Sequence, residues 1–245
     1  MEIVLASAAI FVGCFFATVS GFGFALISTP LLSLVLSPKE AIIIIPLLTV
    51  LLRILTMYQV RKDFDGKTLA YISVGWIMGI LPGSYVLKII SVAHLQVFLG
   101  VVLLGACWLM GKKYYVEIKN KNLGRIGAGF LAGFFGTSTS VAGPPMVLYF
   151  LNEKLDSTHM RANLIWVFGV GNLLITIMNF MCGNAKALGN INTVLMLVPT
   201  VMVAAYVGNK AFEHLNQELF RKLSLAIICV GGILVLYNGI RGSIS

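Results

Sequence analysis

Ser20-Gly21-Phe22-Gly23-Phe24-Ala25-Leu26-Ile27-Ser28-Thr29-Pro30 lies in the middle of a charge-free run from Ile3 to Pro38. That run is 36 residues long. As one helix it would reach ~54 Å, against a bilayer hydrocarbon core of ~30 Å. It is too long for one span, and glycine and proline interrupt its centre. The reading is two helical pieces joined by irregular backbone at membrane depth. The run Ile126–Asn152 has the same character, with Gly136-Thr137-Ser138-Thr139-Ser140 and Gly143-Pro144-Pro145 in its middle.

The rest of the chain fits around these two runs. Ala41–Val60 (interrupted by Arg53), Thr68–Leu87, Ile89–Gly111, Ala162–Ala185, Ala187–Asn209 and Leu223–Ile240 are each about one span long. Of 245 residues, 58% are hydrophobic and 11% charged, where a soluble domain carries roughly 25% charge. Mean hydropathy is +0.94. An ordinary soluble enzyme, a disordered chain and a nucleic-acid binder are excluded. The fold class is an all-α polytopic membrane protein. The net charge of +9 is read as topology, because no soluble domain is left to carry a basic patch. The N-terminus has no basic segment before its long apolar run, so no cleaved signal peptide is expected.

The order of runs repeats. A shift of 115 residues aligns Phe15 with Phe130, Gly21 with Gly136 and Pro30 with Pro145. A shift of 121 aligns Ala41 with Ala162 and Tyr85-Val86 with Tyr206-Val207. The expected layout is a first repeat over 1–115, with a broken helix at 3–37 and helices at 41–60, 68–88 and 93–111. A second repeat covers 122–245, with a broken helix at 124–152 and helices at 161–183, 188–210 and 219–240.

Charge decides the topology. If each long run crosses once, loop Lys and Arg split 10 to 7 across the membrane. If each crosses twice or returns as a hairpin, the split is 13 to 4, with Arg53 left inside a helix. The second layout obeys the positive-inside rule. It makes two inverted repeats of five segments each, with both termini outside.

Irregular backbone inside a bilayer persists only where protein or a watery cavity satisfies it. Two inverted breaks would meet near the midplane, each with a half-helix N-terminus that favours an anion. The candidate binding residues are Gly21, Phe22, Gly23, Ser28, Thr29 and Pro30 at the first break. At the second they are Thr137, Ser138, Thr139, Ser140, Gly143 and Pro144. Thr29 with Pro30, and Gly143 with Pro144, are the expected helix starts. The serine and threonine hydroxyls would supply neutral donors; the competing reading is that the breaks only kink helices for packing.

Arg53 is the one cation well inside an apolar run. It is a candidate anion-attracting charge, although the preferred expectation is a side chain snorkelling toward the face of Arg61. Asn163, Asn172 and Asn179 follow the second break, and Asn163, nearest to it in sequence, is the candidate ligand among them. All nine carboxylates fall at ends or in loops, so no buried proton relay is expected. No zinc, Walker or paired-acid motif is present, and neither catalysis, a metal nor a cofactor is expected. Cys14, Cys107, Cys182 and Cys229 sit in apolar runs and are read as small packing residues.

The segment Ser20–Leu32 and its echo Gly133-Phe-Phe-Gly-Thr-Ser-Thr-Ser-Val-Ala-Gly-Pro-Pro-Met146 resemble the TauE/SafE family of membrane permeases. The resemblance covers essentially the whole chain. The run Thr137–Ser140 departs from it where relatives often carry glycines. The resemblance implies a secondary transporter of a small sulfur oxyanion, such as sulfite or a sulfonate, in the inner membrane of a prokaryote. The alternatives are an anion channel or uniporter, and a structural subunit of a membrane complex. The expected partners are a small anion and the lipid bilayer, with no nucleic acid; a homo-oligomer stays open.

Overall fold

A computed structural model of the chain describes residues 2–111, 120–153, 155–189, 191–211 and 217–244. The basic segment 112–119, Lys154, Glu213, His214 and Ser245, which entered the charge count and the placement of the termini, lie outside the described residues, as do the side chains of Glu218, Arg221 and Lys222.

Ten helices follow in order: α1 (Glu2–Ser20), α2 (Phe24–Leu32), α3 (Pro38–Met57), α4 (Gly66–Ile89), α5 (Val92–Gly111), α6 (Lys121–Thr139), α7 (Gly143–Asn152), α8 (Ser157–Met181), α9 (Ile191–Ala211) and α10 (Gln217–Ile244). A short 3-10 turn, Asn184–Leu188, joins α8 to α9. Polar caps start the helices at the loops. Ser37 accepts from the Glu40 amide beside Pro38, Asp65 from Lys67, Asn120 from Asn122 and Leu123, and Asp156 from Thr158 and His159.

Six helices are long and apolar enough to cross a membrane: Glu2–Val19, Pro38–Met57, Gly66–Ile89, Val92–Leu109, Thr158–Met181 and Ile191–Lys210. Their outward faces carry large apolar side chains such as Ile77, Met78, Leu81, Leu195, Met202 and Tyr206, all exposed. A water-facing protein does not display apolar surface on that scale, whereas lipid solvates it.

Both long runs are broken. Gly21 and Gly23 adopt positive φ, 79° and 97°, a conformation glycine takes without strain. The chain reverses there, and α2 returns antiparallel along α1, with Ser28 Oγ donating to Ala9 O at 3.2 Å. Gly13 leaves the space that Ser28 fills. The second break lies at 140–142, where Ser140 takes φ 62°, the one positive-φ non-glycine among the described residues.

Two expectations about these breaks are corrected. First, α2 starts at Phe24, capped by Gly23, so Thr29 and Pro30 lie inside it and do not begin it. The glycine reversal starts the helix as soon as it is complete. Second, Gly136, Thr137, Ser138 and Thr139 belong to the last turn of α6. The structural echo of Gly21 is Ser140, not Gly136.

Among the packing partners are α4 with α6, α1 with α9, α5 with α10, α3 with α8, α2 with α10 and α5 with α7. Exchanging α1–α5 for α6–α10 in order maps each of these pairs onto another in the set or onto itself. Helices α5 and α10 run antiparallel: Gly239 lies against Val97, Gly100 against Leu236 and Gly232 against Leu103. Helices α4 and α6 run parallel through interlocked glycines. Gly75, Gly79 and Gly83 face the carbonyl oxygens of Ile126, Phe130 and Phe134, while Gly129 and Gly133 face those of Ile72 and Trp76. Backbones meet directly here, as small residues permit between membrane helices.

The cysteine expectation is also corrected. Cys107 of α5 and Cys229 of α10 form a disulfide; Cys14 and Cys182 are free thiols. The two partners are 122 residues apart, and only the α5–α10 packing brings them together.

Candidate site between the two helix breaks

Helix α3 passes both breaks. Four residues from its start, the carbonyl of Ile42 accepts from Ser140 Oγ at 2.8 Å. Four residues from its end, Arg53 Nη2 donates to Gly21 O at 3.0 Å. The two anchor points are ~16 Å apart along the helix axis. A narrow cavity of about 20 Å³ lies between them, lined by Gly23, Phe24, Ala25, Thr49, Arg53, Ser140, Gly143, Phe168 and Asn172, among others. That volume admits a water molecule and no polyatomic anion, so a ligand would need the two breaks to move apart.

Arg53 is 2% exposed. It does not snorkel: Ile54 and Leu55 beside it are exposed, but Arg53 is on the covered face of α3, where its guanidinium meets Gly21 O and the Phe168 ring and lines the cavity. It lies over the Phe168 ring, 5.8 Å from the centroid. Its Nε and Nη1 have no hydrogen-bond partner among the described residues. No ion pair to it occurs among the described residues, and none of their carboxylates is buried. Burying a cation costs several kcal/mol unless opposite charge or hydrogen bonds compensate. The α1 carbonyl end and one ring offset part of that cost. The remaining N–H groups are open to an anion.

The first break adds backbone donors. The amides of Phe24, Ala25 and Leu26 open α2 and have no carbonyl one turn back to bond within it. The second break contributes fewer, because Pro144 and Pro145 have no N–H and Gly143 alone of the first three offers one. Gly143 packs beside Leu26, so the two breaks touch.

The candidate residues divide. Gly21, Gly23, Arg53, Ser140 and Gly143 meet at or beside the cavity. Phe22 packs between two apolar clusters. Ser28 bonds α1, Thr29 is buried inside α2, and Pro30 rests against Gly231. Pro144 occupies the first turn of α7. Thr137, Ser138 and Thr139 donate to Gly133, Phe134 and Phe135 within their own helix, at 2.8, 2.7 and 2.7 Å.

Asn163 lies away from the cavity. Its Oδ1 accepts from the Asp65 amide at 2.9 Å and its Nδ2 donates to His159 O at 2.8 Å. It lines a second cleft of about 190 Å³ with Lys62, Asp63, Asp65, Arg125, Glu153 and His159. There the Thr68 hydroxyl bond, and Arg125 nearby, hold the Asp65 carboxyl below the usual carboxylate range.

Sequence reading passed over Thr49, Phe24 and Phe168, and ranked Asn172 below Asn163. The available signal was helical spacing: Thr49 lies one turn before Arg53 on α3. Phe168 and Asn172 are also one turn apart, and Asn172 Nδ2 donates to Phe168 O at 2.8 Å.

The family model described as Sulfite exporter TauE/SafE matches residues 5–235. No curated protein and no solved structure matches the chain.

Proposed function

The chain belongs to the sulfite exporter TauE/SafE family of membrane transporters, and from that premise we propose that it carries a small sulfur oxyanion held between its two helix breaks. The observation that carries this reading is Arg53: a buried guanidinium lining a cavity, with two of its nitrogens unpartnered and no carboxylate opposite it among the described residues. An oxyanion supplies the missing charge and acceptors together, and bonds to a charged donor are the stronger kind. The α2 amides and Asn172 Nδ2 are the neutral donors at the cavity wall; Thr49 also lines it, with its hydroxyl already donating to Ile45 O at 2.7 Å.

In this reading 1–115 and 122–245 are inverted repeats in a prokaryotic inner membrane, with both termini outside and the basic face in the cytoplasm. The antiparallel run of α5 and α10 supports it, as does the parallel run of α4 and α6. Single cysteines at Glu2 and Lys121, in a background without Cys182, are expected to react with an impermeant thiol reagent from opposite sides. Reaction from the same side would refute the inverted arrangement.

The substrate is tested with purified protein in proteoliposomes, using sulfite, sulfate, thiosulfate and sulfonates with and without proton and sodium gradients. We expect saturable oxyanion flux. Asn172→Ala should weaken apparent affinity by the roughly 0.5–1.5 kcal/mol of a hydrogen bond. Thr49→Ala, Thr137→Ala, Ser138→Ala and Thr139→Ala, whose hydroxyls bond their own helix, should change it by less than about 0.5 kcal/mol. Equal effects across the five would place the ligand elsewhere.

A further inference from the structure

Arg161 is a second arginine on the first break, reaching it from α8. Its Nη2 donates to Thr18 O at 3.2 Å, and its side chain packs on Gly21, where a Cβ would sit 3.0 Å from Arg161 Cγ. Arg53 holds Gly21 O from α3. The two accepting carbonyls are three residues apart on the final turn of α1, so two guanidiniums from different helices grip one helix end. Both are sited alike: Arg161 stands four residues after the start of α8, and Arg53 four residues before the end of α3. On the far side of Arg161 the chain reaches exposed Asp156, about 7.5 Å away in helix rise. The α1–α2 tip therefore separates the Arg53 cavity from the basic face. The other tip, at Ser140, is held by a serine hydroxyl on Ile42 O.

We propose that Arg161 is a positioning residue of the transport cycle: with Arg53 it latches the α1–α2 tip shut toward the basic face, and an anion that engages Arg53 competes for the guanidinium and loosens the latch. This rests on the anion reading of the Arg53 cavity. The physics is competition for a donor. Gly21 O is a neutral acceptor, whereas an oxyanion is a charged one and wins the guanidinium when present. The tip can then swing, because Gly21 and Gly23 bracket it with backbone that tolerates a wide range of φ. Arg161 then sets how firmly the tip stays shut, and its contact with Thr18 O is the part of the latch that does not bind the substrate.

The test uses the full chain with Cys14 and Cys182 replaced, and Ala25→Cys as a reporter in the cavity wall. A membrane-impermeant thiol reagent is applied to each face of proteoliposomes separately. With Arg161→Gln, labelling from the basic face is expected to accelerate roughly tenfold or more, the weight of one charge-assisted hydrogen bond. Labelling from the opposite face should stay unchanged. Arg161→Lys, which keeps the charge and one donor, should fall between Arg161→Gln and the parent, and covers the case in which glutamine does not fold. Methanesulfonate, which does not consume the reagent, should speed basic-face labelling of the parent. Unchanged labelling in Arg161→Gln, or acceleration from both faces alike, overturns the latch. The substitution arms use no anion, so they judge the latch separately. If methanesulfonate neither stabilises the parent against heat nor alters its labelling, the anion reading fails instead.

Discussion

Arg53→Met is expected to abolish oxyanion transport while leaving the protein folded with a melting temperature close to the parent's. Arg53 is buried with two guanidinium nitrogens unpaired and no carboxylate in contact among the described residues. A methionine of similar length removes that desolvated charge. Replacing buried ionic groups by apolar ones of similar volume can stabilise by about 1–4 kcal/mol. Against this stands the lost bond from a charged donor to Gly21 O, roughly 1.5–3 kcal/mol. The two nearly cancel, and a stability within about 2 kcal/mol of the parent is expected. Two bonds from a charged donor to the ligand are worth roughly 3–6 kcal/mol, a loss of about 100-fold to 10,000-fold in affinity. Arg53→Lys should retain part of the activity, because it keeps the charge and loses the planar fork. The measurements are flux in proteoliposomes and thermal unfolding in detergent. A destabilised Arg53→Met that still transports would mean that the arginine serves the fold and not a ligand.

Gly79→Val is expected to prevent folding. A Cβ at Gly79 would run into the carbonyl oxygen of Phe130, with the amide of Phe134 at 2.8 Å behind it. Neither neighbour is the free end of a side chain, so α4 and α6 would have to separate. That separation breaks the contacts at Gly75, Gly83, Gly129 and Gly133 together. Overpacking usually costs about 1–3 kcal/mol where side chains can yield, and here only backbone is available. Gly79→Ala should already be destabilised by at least that amount. Gly105→Ala is the matched control, since no atom lies within 4 Å of its Cβ position. Its yield and melting temperature should equal those of the parent. Measured by size-exclusion yield and unfolding, a well-folded Gly79→Val would show that α4 and α6 are not in direct backbone contact.

The sequence was informative wherever physics acts locally. A charge-free run too long for one span and broken by Gly21 and Gly23 reports a reversal at membrane depth, because a bilayer leaves few ways to satisfy a broken backbone. Gly143 and Pro144 correctly marked the start of α7. The errors came from local rules applied where tertiary contacts decide. Pro30 looked like a helix start, yet the positive-φ glycines had already begun α2. The hydroxyls at 137–139 looked like free donors, yet in a helix each finds the carbonyl four residues back. Arg53 looked able to reach water from near a helix end, and it would have done so had α8 and the α1–α2 tip not covered it. Asn163 was nearer the break in sequence than Asn172, but distance along a helix is not distance in space. The Cys107–Cys229 pair was hidden for the same reason. The spacing Gly75-x3-Gly79-x3-Gly83 against Gly129-x3-Gly133 was legible and would have paired α4 with α6.

The most direct test of the central claim is equilibrium binding of radiolabelled sulfite to the purified protein and to Arg53→Met, in detergent with no gradient present. The account predicts saturable binding of one anion per chain, displaced by unlabelled sulfite, and none in Arg53→Met despite its folded state. Binding of equal affinity in Arg53→Met would contradict it.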